Sequence, residues 1–256
     1  MSSTFSAGDL VLLIDRKQRR YLITLVDGGS FHSHAGFVTH ELLIGQPEGT
    51  TARSTGGAAY LAVRPTLADF VIEMPRGAQV IYPKDLGAIL IQADVFPGAR
   101  ILEAGVGSGA LSMTLLRAGA IVTGYEVRED FAAKAQANVR AFLGEEAVAR
   151  YSVQLRDVYD GIDERDLDRV VLDLPEPWRV VKHAEAALHV GGILLSYLPS
   201  VIQVAQLREA LDASGFGMAQ TNEVLHRGWY VKDAAVRPDH RMVAHTGFLT
   251  TARLLG

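Results

Sequence analysis

The chain has 256 residues, enough for one large domain or for a standard domain with a smaller companion. Its 48% hydrophobic and 21% charged residues allow a substantial core, while no apolar run reaches the length needed to span a bilayer. The absence of cysteine excludes disulfides, thiolate zinc sites and cysteine nucleophiles, and a net charge of −4 with a pI of about 6.1 supplies no overall basic character that would argue for nucleic acid.

In chain order, residues 5 to 45 read as short strands with close turns. Asp9 to Ile14 and Tyr21 to Val26 are joined by the basic run Arg16-Lys-Gln-Arg-Arg20, and His40 to Gly45 reads as a further extended run. A small antiparallel barrel or sandwich is expected. The basic run is either a solvated hairpin tip or a contact for nucleic-acid phosphate. Residues 46 to 66, rich in Gly, Thr and Ser, read as a mobile connection. The stretch Leu67 to Met74 reads as a short helix or strand, and the domain boundary is expected between residues 65 and 80, dividing the chain into 1–70 and 71–256.

From Arg100 onward strands and helices alternate. Strands are expected at Arg100 to Ala104, Ile121 to Glu126, Tyr151 to Leu155, Asp168 to Leu172 and Gly191 to Tyr197. Helices are expected at Ala110 to Ala118, Asp130 to Leu143, Ala184 to Leu188 and Val201 to Ser214. Such alternation predicts an α/β fold, a parallel sheet covered by helices on both faces, with ligands gathered at the carboxyl ends of the strands. The residues that matter there are Gly105, Glu126, Asp157 and Asp173.

The first of these opens a glycine turn with Gly105, Gly107 and Gly109, where the backbone can turn sharply and approach a ligand. Glu126, about 20 residues on at the tip of the second strand, suits a pair of ribose hydroxyls. Gly105-x-Gly107-x-x-Ala110 also satisfies the dinucleotide fingerprint, so the loop alone does not choose a cofactor. The acids choose better: a dinucleotide wants helix amides facing a pyrophosphate, whereas carboxylates at successive strand ends suit a cationic, phosphate-free cofactor such as S-adenosylmethionine. Glu103 either shapes the loop or meets that cation, or only makes a loop-capping hydrogen bond. Asp157 is either a contact to an adenine amine or a turn cap. In Asp173-Leu-Pro-Glu-Pro-Trp178, two prolines stiffen a loop that carries an acid and an aromatic directly after a buried strand. His32, His34 and His40 read as surface histidines, with no metal site.

These pieces together resemble the TrmI family of tRNA (adenine-N1)-methyltransferases, which modify adenosine 58 of the T-loop. The resemblance is carried by Tyr82-Pro-Lys-Asp85, Glu103-Ala-Gly-Val-Gly-Ser-Gly109, Tyr125-Glu126, Asp173-Leu-Pro-Glu-Pro-Trp178, Tyr197-Leu-Pro199 and the closing segment Val236 to Phe248. It implies a Rossmann-like class I methyltransferase domain behind a small N-terminal β-barrel domain, S-adenosylmethionine as cofactor, tRNA as partner and a homotetramer. It further implies that Gly105, Val106, Gly107 and Ser108 line the cofactor, that Glu126 binds its ribose, that Phe131 flanks the adenosine and that Asp157 holds the adenine. Asp173 would be the catalytic carboxylate and would also line the cofactor, near the methyl group, and Tyr82 would be an aromatic against the flipped base. A cytoplasmic protein with no membrane segment is expected, since residues 1–10 do not resemble a signal peptide.

The rival readings are a nicotinamide-dependent oxidoreductase, which leaves the Asp173 loop without a role, and a non-catalytic tRNA-binding subunit, which would not need an intact glycine loop with Glu126 and Asp173. A third is methylation of another base or of a protein carboxylate. The C-terminal Arg227, Trp229, Arg237, His240, Arg241 and His245 either contact tRNA or close over the site, or are charged neighbours of a late strand.

Overall fold

The computed structural model describes residues 4–77 and 79–256, and its chain divides into two units at the Pro75–Arg76 bond. The first unit begins with strands β1 (Leu10–Asp15) and β2 (Arg20–Thr24), continues through the ribbon of β3 (Ser30–Ser33) and β4 (Gly36–Thr39), and ends with β5 (Thr51–Arg53), β6 (Ala59–Val63) and helix α1 (Leu67–Glu73). Strand order β2-β1-β6-β5 is antiparallel throughout. Its buried residues, among them Phe5, Val11, Leu13, Leu25, Leu43 and Tyr60, form one core. Thr66 and Asp69 form a reciprocal cap at the start of α1, each side chain accepting from the other's backbone N–H.

Three expectations fail in this unit. Residues 46 to 66 are not a bare connection: Ala52, Tyr60 and Ala62 alternate into the core and pair as β5 and β6, so small residues here make narrow strands. His40 to Leu42 is a single 3-10 turn, in which the N–H groups of Leu43 and Ile44 both bond to the His40 carbonyl. His40 is not a surface histidine, being 6% exposed, with its Nδ1 2.9 Å from the Val26 N–H.

The second unit runs α2 (Pro83–Gln92), β7 (Arg100–Ala104), α3 (Ala110–Arg117), β8 (Ile121–Glu126), α4 (Glu129–Leu143), the short α5 (Glu145–Val148), β9 (Tyr151–Leu155), β10 (Leu167–Leu172), α6 (Val181–Ala187), β11 (Leu188–Leu198) and α7 (Val201–Asp212). It finishes with β12 (Phe216–Glu223), the hairpin of β13 (Trp229–Lys232) and β14 (Ala235–Pro238), and β15 (Phe248–Leu254). The sheet order is β12-β15-β11-β10-β7-β8-β9. From β11 to β9 all neighbours are parallel, as the Val- and Leu-rich, doubly covered strands predict. The expected all-parallel sheet is corrected at one edge: β15 runs antiparallel between β11 and β12. Helix α6 begins at Val181 and Leu188 already belongs to β11, so that helix lies earlier than its apolar run suggested. This is a Rossmann-like sheet with one antiparallel strand inserted at its edge.

Candidate functional site

Strand order reverses between β7 and β10, and in open α/β sheets that reversal opens a crevice at the carboxyl ends of the strands. Register decides what lies there. Leu172 pairs with Ala104, Ala104 with Tyr125, and Glu126 with Leu155. Asp173, Gly105, Glu126 and Asp157 therefore follow one another across four adjacent strands, spanning roughly 14 Å at the usual inter-strand spacing.

The glycine loop is held from three sides. Gly105, Gly107 and Gly109 have φ of 86°, 55° and 83°, the left-handed region that side chains disfavour. The Gly107 N–H donates to Glu126 Oε2 at 3.1 Å, while Glu126 Oε1 accepts from the N–H groups of Val127 and Arg128 at 2.9 and 3.0 Å. From α4, the Asn138 side-chain amide donates to the Ser108 carbonyl at 2.9 Å. Against Asp173 the loop is in backbone contact: a Cβ on Gly105 would lie 2.1 Å from the Asp173 carbonyl oxygen. Gly105→Ala is therefore expected to cost at least ~2 kcal/mol of folding stability, from the left-handed backbone and the displaced carbonyl together. A urea midpoint equal to wild type would refute the tightness of that contact.

Two carboxyls in this crevice are pushed towards their neutral forms. Glu103 is fully buried; burial raises its pKa from 4.5 to about 8, Asp173 and Glu126 act in the same direction, and the Ser112 hydroxyl, donating to Oε2 at 2.6 Å, opposes them. Tyr151 OH lies 2.9 Å from the same hydroxyl and extends the chain of polar groups. Burial raises Asp173 from 3.8 to about 7. Both groups hold a proton in the folded chain where the unfolded chain has lost it, so stability falls as pH rises from about 4 through about 8. Urea midpoints of the ligand-free protein are expected to be higher at pH 5 than at pH 8, with the difference reduced in Glu103→Gln; a difference unchanged by that substitution would place the linkage elsewhere.

Val106 and Ser108 are buried in the loop, and a cleft with about 260 Å³ of free space is lined by Gly105 to Ser108, Asp173 and the segment Gln79 to Ile81. Two buried oxygens, Ser108 Oγ and Glu103 Oε1, have no hydrogen-bond partner among the described residues. A second opening of about 710 Å³ follows β9, lined by Gln154 to Asp157 and Asp160. There Asp157 caps a turn, accepting the Tyr159 N–H through Oδ1 at 2.9 Å, which leaves Oδ2 as an acceptor. Phe131, 5% exposed on α4, carries the Arg128 guanidinium 3.9 Å above its ring.

The Asp173 loop is rigid beyond its prolines. The Glu176 N–H donates to Tyr159 OH at 3.2 Å, Arg179 stacks on the Tyr159 ring at 4.0 Å, and Gln203 Nε2 donates to the Pro175 carbonyl at 2.8 Å. Tyr82, extended before Pro83, forms the N-terminal boundary of α2. Burial raises the Tyr197 hydroxyl to about 12, with Asp85, Asp173 and Tyr82 all acting in the same direction; Tyr197 donates to the Thr246 carbonyl at 2.6 Å. Sequence reasoning missed Ser112, Asn138, Tyr151, Tyr159 and the group joining Lys84, Asp85 and Thr246. The last two partners are 161 residues apart, and no local signal links them. Of the C-terminal candidates, Trp229 and Arg237 lie on the exposed β13–β14 hairpin, while His245 is anchored to Glu223 and to the Pro199 carbonyl.

Residues 58–237 match the family described as tRNA methyltransferase complex GCD14 subunit, and residues 4–51 match the TrmI-like N-terminal family. The tRNA (adenine(58)-N(1))-methyltransferase TrmI of Thermus thermophilus is 39% identical over 246 residues, 95% of this chain and 96% of the relative. The chain belongs to the TrmI family. Another relative, the TrmI of Methanocaldococcus jannaschii named for adenines 57 and 58, is 33% identical over 95% of this chain and 94% of its own length. Among solved structures, TrmI from Aquifex aeolicus superposes with a TM-score of 0.85 at 29% identity, covering 99% of both chains. A SAM-dependent O-methyltransferase from Thermotoga maritima superposes with a TM-score of 0.93 at 32% identity, over 99% of this chain and 96% of the other.

Proposed function

We propose that this TrmI-family chain transfers a methyl group from S-adenosylmethionine to N1 of adenosine 58 in the T-loop of tRNA. The observation that carries the reading is the junction of the glycine loop with Asp173, where backbone contact sets a carboxylate beside the cofactor crevice. The donor set fits a cation. Glu103, Glu126 and Asp173 converge on the loop, where the Ser108 and Glu103 oxygens have no hydrogen-bond partner among the described residues.

When bound, S-adenosylmethionine supplies the sulfonium methyl group. Gly105, Val106, Gly107 and Ser108 line the cofactor, Glu126 accepts from the ribose hydroxyls, Phe131 flanks the adenosine and Asp157 accepts from the adenine amine through its uncapped oxygen. Adenine N1 lies on the Watson–Crick edge, so the target base must be extruded before it reacts. N1 is already nucleophilic, and the main task of the protein is to hold it in line. Tyr82 packs against the extruded base. Asp173 accepts from the N6 amine and stabilises the positive charge that methylation brings to the purine. The names of the two structural relatives point to different acceptors, an oxygen and adenine N1; the braced acid–proline–aromatic loop favours an amine-bearing base.

The family reading also implies a homotetramer in the cytoplasm. No helix among the described residues is long and apolar enough to cross a membrane. Incubation with labelled S-adenosylmethionine and an unmodified tRNA transcript, followed by reverse transcription, tests the assignment, because N1-methyladenine blocks base pairing. The expected result is an arrest at position 58. Label transfer with the arrest elsewhere would move the target, and absence of transfer in a protein that binds S-adenosylmethionine would overturn the reading.

A further inference from the structure

The tip of the β1–β2 hairpin concentrates positive charge in a chain that is acidic overall. Arg16, Lys17, Arg19 and Arg20 are all exposed, and no apolar side chain interrupts them. The turn is constructed rather than loose. Asp15, 8% exposed at the end of β1, accepts the N–H groups of Lys17 and Arg19 at 2.8 and 3.0 Å and the Arg19 Nε at 2.7 Å. Gln18 takes the left-handed conformation (φ 62°) that the turn requires.

The carboxylate is thus engaged in shaping the turn and in bracing Arg19. Arg16 and Lys17 have no ion-pair partner among the described residues, in contrast to Arg20, which pairs with Asp69. The Arg19 Nη2 reaches across to His34 Nε2 at 3.5 Å. Between them lies a cleft with about 470 Å³ of free space, walled by Asp15, Arg16, Lys17, Arg19, His34 and Tyr60 and floored by small residues.

We propose that this cleft is a second binding site, one that takes RNA backbone phosphates on Arg16 and Lys17, with Arg19 as a pre-oriented wall. The proposal rests on the tRNA reading above. Two adjacent uncompensated cations beside a braced guanidinium suit a polyanion, since backbone recognition of RNA works through charge and released counterions rather than through base edges. An anionic membrane would want apolar side chains at the tip to enter the interface, and residues 16–20 carry none.

The test is the salt dependence of tRNA binding, followed by fluorescence anisotropy between about 0.05 and 0.2 M KCl. In Arg16→Ala/Lys17→Ala the slope of log affinity against log salt should shrink by roughly 1.4–1.8, about 0.7–0.9 for each phosphate that is no longer neutralised. Affinity at the lower salt should fall roughly a hundredfold, with S-adenosylmethionine affinity unchanged. The conservative Arg16→Lys/Lys17→Arg should keep the wild-type slope. Removal of equal charge from the second unit, Arg140→Ala/Lys182→Ala, should leave the slope in place. An unchanged slope in the first variant, or an equal reduction in the second-unit control, would overturn the proposal. The two readings separate cleanly. Methylation at position 58 with an unaltered slope discards the cleft alone. A lowered slope without methylation discards the adenosine 58 assignment and keeps the cleft.

Discussion

Asp173→Asn is expected to lower kcat by about 10²–10³-fold while changing S-adenosylmethionine affinity little. The substitution keeps the shape of the side chain and an acceptor oxygen, so what it removes is the negative charge facing a purine that becomes cationic. Loss of one preorganised electrostatic partner in a water-poor site has effects of this size. A second signature separates chemistry from damage. Asp173 must be ionised to act, and burial raises its pKa to about 7, so wild-type kcat/KM should climb with pH and level off above about 7. That limb should vanish in Asp173→Asn. A variant with near wild-type kcat, or one that retains the limb, would remove Asp173 from the reaction.

Lys84→Met is expected to destabilise the second unit by ~3–5 kcal/mol, the cost of leaving a buried carboxylate without its cation. Asp85 is completely buried and the Lys84 side chain is 6% exposed. The Lys84 ammonium lies 2.8 and 3.1 Å from the Asp85 oxygens, 2.7 Å from the Val224 carbonyl and 2.6 Å from Thr246 Oγ1, which itself donates to Asp85 at 2.6 Å. The three ammonium protons and the Thr246 hydroxyl proton are all engaged, so truncating one member strands the others. Methionine fills the stem but not the charge. In the double variant Lys84→Met/Asp85→Asn much of the loss should be recovered, giving a non-additive cycle in urea unfolding. Additive losses would mean that the pair is not coupled.

The chemistry-bearing half of the second unit was legible because it is written locally. Strand, glycine turn, helix, strand and acid follow within residues 100–126, and the register of parallel neighbours then brings Asp157 and Asp173 into line. Gly105 shows the same point at one atom: the sequence reading wants a backbone approaching a ligand, and the structure also finds it against the Asp173 carbonyl. Long-range partners were not legible. Nothing near Lys84 announces Thr246, and nothing near Glu103 announces Tyr151. In the first unit, composition misled: Gly, Thr and Ser suggested a connection where Ala52 and Ala62 alternate inward on paired strands. The β13–β14 hairpin escaped for a related reason. Its turn uses Asp233 at φ 51° and lacks the Gly that marks such turns.

The insertion of β15 between β11 and β12 has a consequence for assembly during synthesis. A strand made early usually docks on a neighbour already present, yet β12 touches the sheet only through β15. While the chain emerges, residues 216–223 wait as an unpaired edge until residues 248–254 arrive. The parallel half that carries the glycine loop is complete much sooner. Translation arrested between these two strands would therefore leave a nascent chain with its crevice formed and an open, adhesive sheet edge at β11, the kind of surface on which chaperones act.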